Sequence, residues 1–228
     1  MPYRFDEFAQ QTIDFTDEEV AAAYDAKQAT DLTAERALAE KLSLEPEHTV
    51  IEFGPGTGAF SLALSERCAH VYAVDTSAAM LAVIARHGKS NITTHHAGFL
   101  TYEHGETPAD FIVSKFSFHH LPDFWKGVAL ARMNGMLAPG GRLYLHDVIF
   151  SFDPGRHEEA LDAWIEGITA SGGWDRSEFE VHVNEEYSTY AWILEGLVQR
   201  AGFEISSAEY GSPTYGAITA RKVRELTS

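Results

Sequence analysis

Three glycines alternate through Glu52-Phe53-Gly54-Pro55-Gly56-Thr57-Gly58, where the apolar run Thr49-Val50-Ile51 stops. Glycine there lets the backbone turn with positive φ and lets a ligand approach where a Cβ would clash. The helix expected beyond it presents free N–H groups to polar atoms. Asp75 stands 21 residues after Gly54, at the end of the next expected strand. That is the spacing at which a carboxylate reaches back to accept from both hydroxyls of a ribose. The pattern predicts a site for a bulky, polar, ribose-bearing ligand rather than an incidental tight turn. Two histidine-bearing pairs are candidates for proton transfer, because imidazole titrates near neutrality. His119-His120 follows the fourth expected strand, and His146-Asp147 ends the fifth. Neither His119-His120 nor His95-His96 has a third ligand at a recognisable metal spacing, so no metal is expected.

Apolar periodicity supplies the elements that must hold these residues. It predicts strands over 49–53, 70–75, 92–97, 110–117 and 141–150, alternating with helices over 58–67, 77–87 and 123–137. Such alternation implies an α/β, doubly wound, mostly parallel sheet covered by helices on both faces. A helical preface spans 16–42, with Thr16 and Thr33 as expected caps. Residues 151–186 read as one helix plus an irregular segment around Ser171-Gly172-Gly173, lying over the mouth of the sheet. A helix over 185–201 closes at Gly202, and strands over 203–210 and 215–222 form an antiparallel pair around Gly211-Ser212-Pro213.

Composition narrows the chemistry. In 228 residues, 17 Lys and Arg oppose 34 Asp and Glu, a formal charge of -17 that repels nucleic acid and anionic membrane surfaces. Neither is expected as a partner, and oligomeric state is open. The lone Cys68 makes no internal disulfide. The opening MPYRFDEFAQ has neither the basic flank nor the apolar run of a secretory signal, so a cytoplasmic location is expected. One domain is expected over 1–228: a helical lid at 1–44, a cofactor core at 45–150, a cap insertion at 151–186, and a C-terminal helix and strand pair at 187–228.

Two cofactors share that ribose. Gly54-x-Gly56-x-x-Ala59 fits a nicotinamide dinucleotide fingerprint. Gly58 completing an E-x-G-x-G-x-G pattern, Pro55, and Leu137-Ala138-Pro139-Gly140-Gly141-Arg142-Leu143 point instead to S-adenosylmethionine. VIEFGPGTG, VYAVD with TSAAM, ADFIVSKFSFHHL and LAPGGRLYLHD follow one another in order. With them the chain resembles the class I S-adenosylmethionine-dependent methyltransferases of small-molecule type over about residues 45–150. The resemblance implies a seven-stranded Rossmann-like sheet whose last strand is antiparallel, and S-adenosylmethionine as cofactor, leaving as S-adenosylhomocysteine. It further implies cofactor contacts from Glu52, Gly54, Pro55, Gly56 and Gly58, with the glycines under the methionine moiety and Asp75 on the ribose. Thr76 and Met80 line the adenine, the backbone near Ser114 and Lys115 faces the methionine end, and Tyr24 closes over the cofactor. Gly98 stands where many relatives carry an acid, so adenine recognition there rests on backbone N–H and on Phe99 and Leu100.

Methyl transfer needs in-line positioning of a nucleophile and, for a hydroxyl or protonated amine, a base; His119 and His120 are the candidates. A small uncharged or cationic, partly aromatic acceptor is expected, held under residues 1–28 and 151–186, which are acidic and aromatic. A nicotinamide-dependent oxidoreductase and a cofactor-binding module without turnover are the alternatives.

Overall fold

Val50, Ile51 and Phe53 are at most 1% exposed, so β1 (Thr49–Phe53) is a strand apolar toward both sides, as a strand covered on both faces must be. The computed structural model describes residues 3–9, 31–105, 107–170 and 176–226. Beside β1 run β2 (His70–Asp75), β3 (Ile92–His96), β4 (Ala109–Lys115), β5 (Leu137–Phe150), β7 (Phe203–Glu209) and β8 (Tyr215–Lys222). Their spatial order is β3-β2-β1-β4-β5-β8-β7, and the two-residue β6 (Thr189–Tyr190) adds to the end of β5. Strands β1 to β5 pair in parallel; β8 is antiparallel to both of its neighbours. The sheet is thus the expected one, with its chain-terminal strand reversed.

Alternation along the strands sorts the core into two layers. Val50, Phe111 and Val113 pack with residues of α1 (Thr33–Lys41) and α2 (Ala59–Ser65), including Ala39, Phe60 and Leu64. Ile51, Phe53 and Ile112 face the other way, onto Leu130 and Met133 of α4 (Asp123–Met136) and Val198 of α7 (Ala191–Arg200). Between β2 and β3, α3 (Ala78–Arg86) buries Leu81 and Ile84. Each such side chain contributes about 1.5–3 kcal/mol by leaving water. These layers fix the carboxyl ends of β1, β2 and β4 side by side, which is where a crevice opens in such sheets.

Several expectations need correction. Thr33 does not cap α1: its N–H and hydroxyl both donate to Asp31 Oδ1, at 2.9 and 2.5 Å, because the carboxylate is the stronger acceptor. Thr16 lies outside the described residues. Strand β5 begins at Leu137 rather than 141, since Leu137 pairs with Ala109 and Arg142 with Phe111, the intervening residues bulging out. Among the described residues, 151–186 hold two helices, α5 (His157–Ala170) and α6 (Arg176–Glu185), where one was expected; the Ser171-Gly172-Gly173 of the expected irregular segment lies outside the described residues. Trp164, Ile165 and Phe179 bury against Val148, which gives the second helix its own small core. The start of α7 is Ala191 rather than 185, because Thr189 and Tyr190 pair with the end of β5 as β6. Among the described residues no helix is long and apolar enough to cross a membrane.

Candidate active site

Residues at the carboxyl ends of β1, β2 and β4 enclose a cavity of about 290 Å³, near the lower end of the roughly 300–1,000 Å³ that hold small ligands. Glu52, Gly54, Pro55, Gly56, Asp75, Thr76, Met80, Gly98, Phe99, Lys115 and His120 all line it. Gly58, Ser114 and His119 do not, and Tyr24 lies outside the described residues.

The floor is the glycine loop. Gly54, Gly56 and Gly58 have φ of 66°, 56° and 91°, a region that disfavours any side chain. A Cβ on Gly54 would fall 2.2 Å from Ser117 Oγ, and one on Gly58 would fall 2.6 Å from Ile84 Cγ1. Gly58 therefore serves the packing of α2 on α3 and not the cavity wall. Ser114 is likewise turned into the protein, its hydroxyl 2.8 Å from Ser117 Oγ, and Ser117 in turn donates to the Phe53 carbonyl at 3.2 Å. Of the two serines, Ser117, absent from the sequence expectation, is the one that reaches the cavity.

Asp75 ends β2 with its carboxylate held by the Ser77 N–H at 2.8 Å and the Gly56 N–H at 3.3 Å. Ser77 also caps α3 by accepting from the Met80 N–H, which seats Met80 on the wall. Burial raises the Asp75 carboxyl to about 6 against those hydrogen bonds, and burial raises Glu52 to about 7 although the Ser61 hydroxyl donates to it at 2.5 Å.

Opposite Asp75, the absence of an acid at position 98 is made good from a distant segment. Glu7 lines the cavity, and its carboxylate accepts from the Leu100 N–H at 2.9 Å and the Thr101 hydroxyl at 2.6 Å. A Cβ on Gly98 would lie 2.4 Å from that carboxylate. The expectation that this corner offers only backbone N–H and apolar contact is therefore corrected. Lys115 is paired too, with Glu35 Oε2 at 2.5 Å, while its ammonium stands 4.8 Å from the Phe60 ring centre. Among the described residues, the wall thus carries the carboxylates of Glu7, Glu35, Glu52 and Asp75 and one ammonium.

The two candidate bases part company. His120 faces the cavity, whereas His119 is buried behind it with Nδ1 on Asp147 and Nε2 3.2 Å from Glu186. Burial lowers His119, but the Asp147 and Glu186 carboxylates outweigh it and hold the imidazole up at about 9. Burial and the neighbouring His119 push His120 down to about 4. Asp147 binds backbone N–H groups of Phe118, His119 and Val148 as well. His146 packs against Phe116, ring centres 4.6 Å apart, and lines no part of the cavity.

Segment 151–186 was expected to help roof the acceptor pocket. Among the described residues none of it lines the cavity, because its aromatic side chains bury in their own core; Phe5 and Phe116 supply the aromatic wall instead. Residues 1–2, 10–28 and 171–175 of the two segments expected to form that roof lie outside the described residues. Cys68 is buried away from the cavity, and burial pushes its thiol up to about 12.

A family model described as a methyltransferase domain matches residues 50–141. The chain is 34% identical over 160 residues to an uncharacterized methyltransferase of Geobacillus kaustophilus, covering 70% of this chain and 71% of that protein. Among solved structures it resembles the DhpI-SAM-HEP complex, with TM-score 0.63 and 21% identity over 90% of this chain and 93% of that one. It also resembles the N-methyltransferase NodS of Bradyrhizobium japonicum in complex with S-adenosyl-L-homocysteine, with TM-score 0.59 and 16% identity over 84% of this chain and 87% of that one.

Proposed function

The chain belongs to the class I S-adenosylmethionine-dependent methyltransferases, and from that premise we propose that its cavity takes S-adenosylmethionine together with a small neutral or cationic acceptor. Family membership sets aside the nicotinamide oxidoreductase. The wall fits the cofactor: Asp75 offers a fixed carboxylate to a ribose diol, and the positive-φ glycines leave room for close approach. Glu7 supplies the acceptor for an amino group that Gly98 lacks. Bound there, S-adenosylmethionine supplies a methyl group made electrophilic by its sulfonium.

The protein's part is then positioning. Holding the acceptor in place replaces a bimolecular encounter by a local one, a gain that reaches about 7–11 kcal/mol in well-oriented systems. Phe5 and Phe116 offer aromatic faces, and His120 a ring nitrogen on the wall, for orienting the acceptor; held down at about 4, that nitrogen stays neutral and acts as a hydrogen-bond partner rather than a strong base. His119 serves from behind. The observation that carries the choice of acceptor is the cavity's charge: four carboxylates against one ammonium already paired with Glu35 disfavour an anion. The test is S-adenosylhomocysteine release with acceptors matched in size and differing in charge. Neutral and cationic compounds should turn over faster at moderate salt; faster turnover of the anionic set contradicts the proposal.

A further inference from the structure

Behind His120, four ionisable side chains converge in space closed to water. Those of His119, Asp147, His182 and Glu186 are 8%, 4%, 3% and 7% exposed. They come from the turn after β4, the end of β5 and the last turn of α6 with the residue following it. Each imidazole has one nitrogen engaged outward. His119 Nδ1 faces Asp147 Oδ1, and His182 Nε2 lies 3.1 Å from Ser188 Oγ. Asp147 accepts from three backbone N–H groups besides, so it is fixed as an acceptor and His119 Nδ1 must be the donor.

The inward nitrogens, His119 Nε2 and His182 Nδ1, both turn toward one oxygen, Glu186 Oε2, the first at 3.2 Å. All three atoms lie within 4.8 Å of one another. With Nδ1 of a neutral His119 donating to Asp147, its Nε2 presents a lone pair to the Glu186 carboxylate. Two buried carboxylates beside converging imidazole nitrogens are stabilised by positive charge close to them. Imidazolium protons contribute it, or a divalent cation does.

The donor set favours the cation. Two imidazole nitrogens and one carboxylate oxygen form a common set for zinc, whose tetrahedral bonds of about 2.0–2.2 Å place neighbouring ligand atoms about 3.3–3.5 Å apart; His119 Nε2 and Glu186 Oε2 stand close to that separation, whereas His182 Nδ1 is in direct contact with the carboxylate and must draw back from it to ligate. Asp147 and Ser188 stand where the outer partners of ligating histidines stand, fixing ring orientation and tautomer. We propose that His119, His182 and Glu186 bind a divalent first-row transition cation of the zinc type, which fastens the end of α6 to the turn that carries His120. The loop beyond is held by its backbone to that turn and to α4: the Tyr187 N–H donates to the His119 carbonyl at 2.8 Å, and Lys126 Nζ of α4 donates to the Tyr187 carbonyl. A cation there positions a wall residue of the cavity from behind. The expectation of no metal came from linear spacing, and the other two proposed ligands lie 63 and 67 residues beyond His119.

The test uses the full chain, stripped with a chelator and titrated with Co²⁺, whose visible absorption reports coordination by nitrogen and oxygen. One equivalent should bind, Zn²⁺ should displace it and bleach the bands, and the melting temperature should rise with either ion. His182→Gln and Glu186→Gln should each weaken Co²⁺ binding at least tenfold while far-ultraviolet dichroism is kept. Absence of a one-equivalent Co²⁺ spectrum in the unsubstituted chain overturns the proposal, as does binding unchanged by either substitution; protons then neutralise the cluster.

Discussion

Asp75 and Glu7 mark the two ends of what a reader of the sequence can see at the level of single residues. Asp75 was legible because its partner, the glycine loop, lies one strand upstream and the intervening unit has a fixed length. Glu7 was not, since it meets Leu100 from 93 residues away and no periodicity records such a contact. Glu7→Ala should weaken S-adenosylmethionine by about 1–3 kcal/mol, the cost of removing one partner of a buried polar contact. Titration calorimetry checks this, and unchanged affinity contradicts the acceptor role. Glu52 gives a pH signature. Its carboxyl is raised by burial from 4.5 to about 7 in the folded chain, so the folded state binds that proton more tightly than the unfolded state. Its contribution to stability must then fall as pH rises from about 4.5 to about 7 and level off beyond. Urea unfolding midpoints at pH 5 and pH 8 should differ less for Glu52→Gln than for the unsubstituted chain; an equal or larger difference contradicts the assignment.

At the level of elements, the parallel core was readable because β1, β2, β4 and β5 are largely apolar runs ended by turn residues, with the polar β3 at the sheet's edge, and the helices between them carry clear periodicity. Boundaries failed where tertiary pairing decided them. The start of β5 depends on Ala109 across the sheet, and the start of α7 depends on β6 joining the end of β5. Helix α6, with its polar face and short sequence, becomes a helix by resting Phe179 on Trp164, ring centres 4.9 Å apart. Gly58 illustrates how a motif residue can serve the packing of two helices. Gly58→Ala introduces strain at φ 91° and a clash with Ile84, so it should lower stability by about 1–3 kcal/mol, read as a lower urea midpoint. An unchanged midpoint contradicts the packing role.

Across the whole molecule, the formal charge of -17 and the carboxylate-rich cavity act in the same sense on a ligand bearing a sulfonium. S-adenosylmethionine carries one positive charge more than its demethylated product. Asp75 and Glu52, held up by burial at about 6 and about 7, lose their charge as pH falls. Preference for S-adenosylmethionine over S-adenosylhomocysteine should therefore shrink between pH 8 and pH 5, as the ratio of the two dissociation constants. A constant ratio contradicts the electrostatic account.

Calorimetric titration of S-adenosylmethionine into the chain and into Asp75→Ala tests most directly whether the glycine loop and Asp75 form one cofactor site. One molecule should bind per chain, and the substitution should weaken binding by about 1.5–3 kcal/mol, the worth of hydrogen bonds to a charged group. Equal affinity in the two proteins contradicts the placement of the ribose on Asp75.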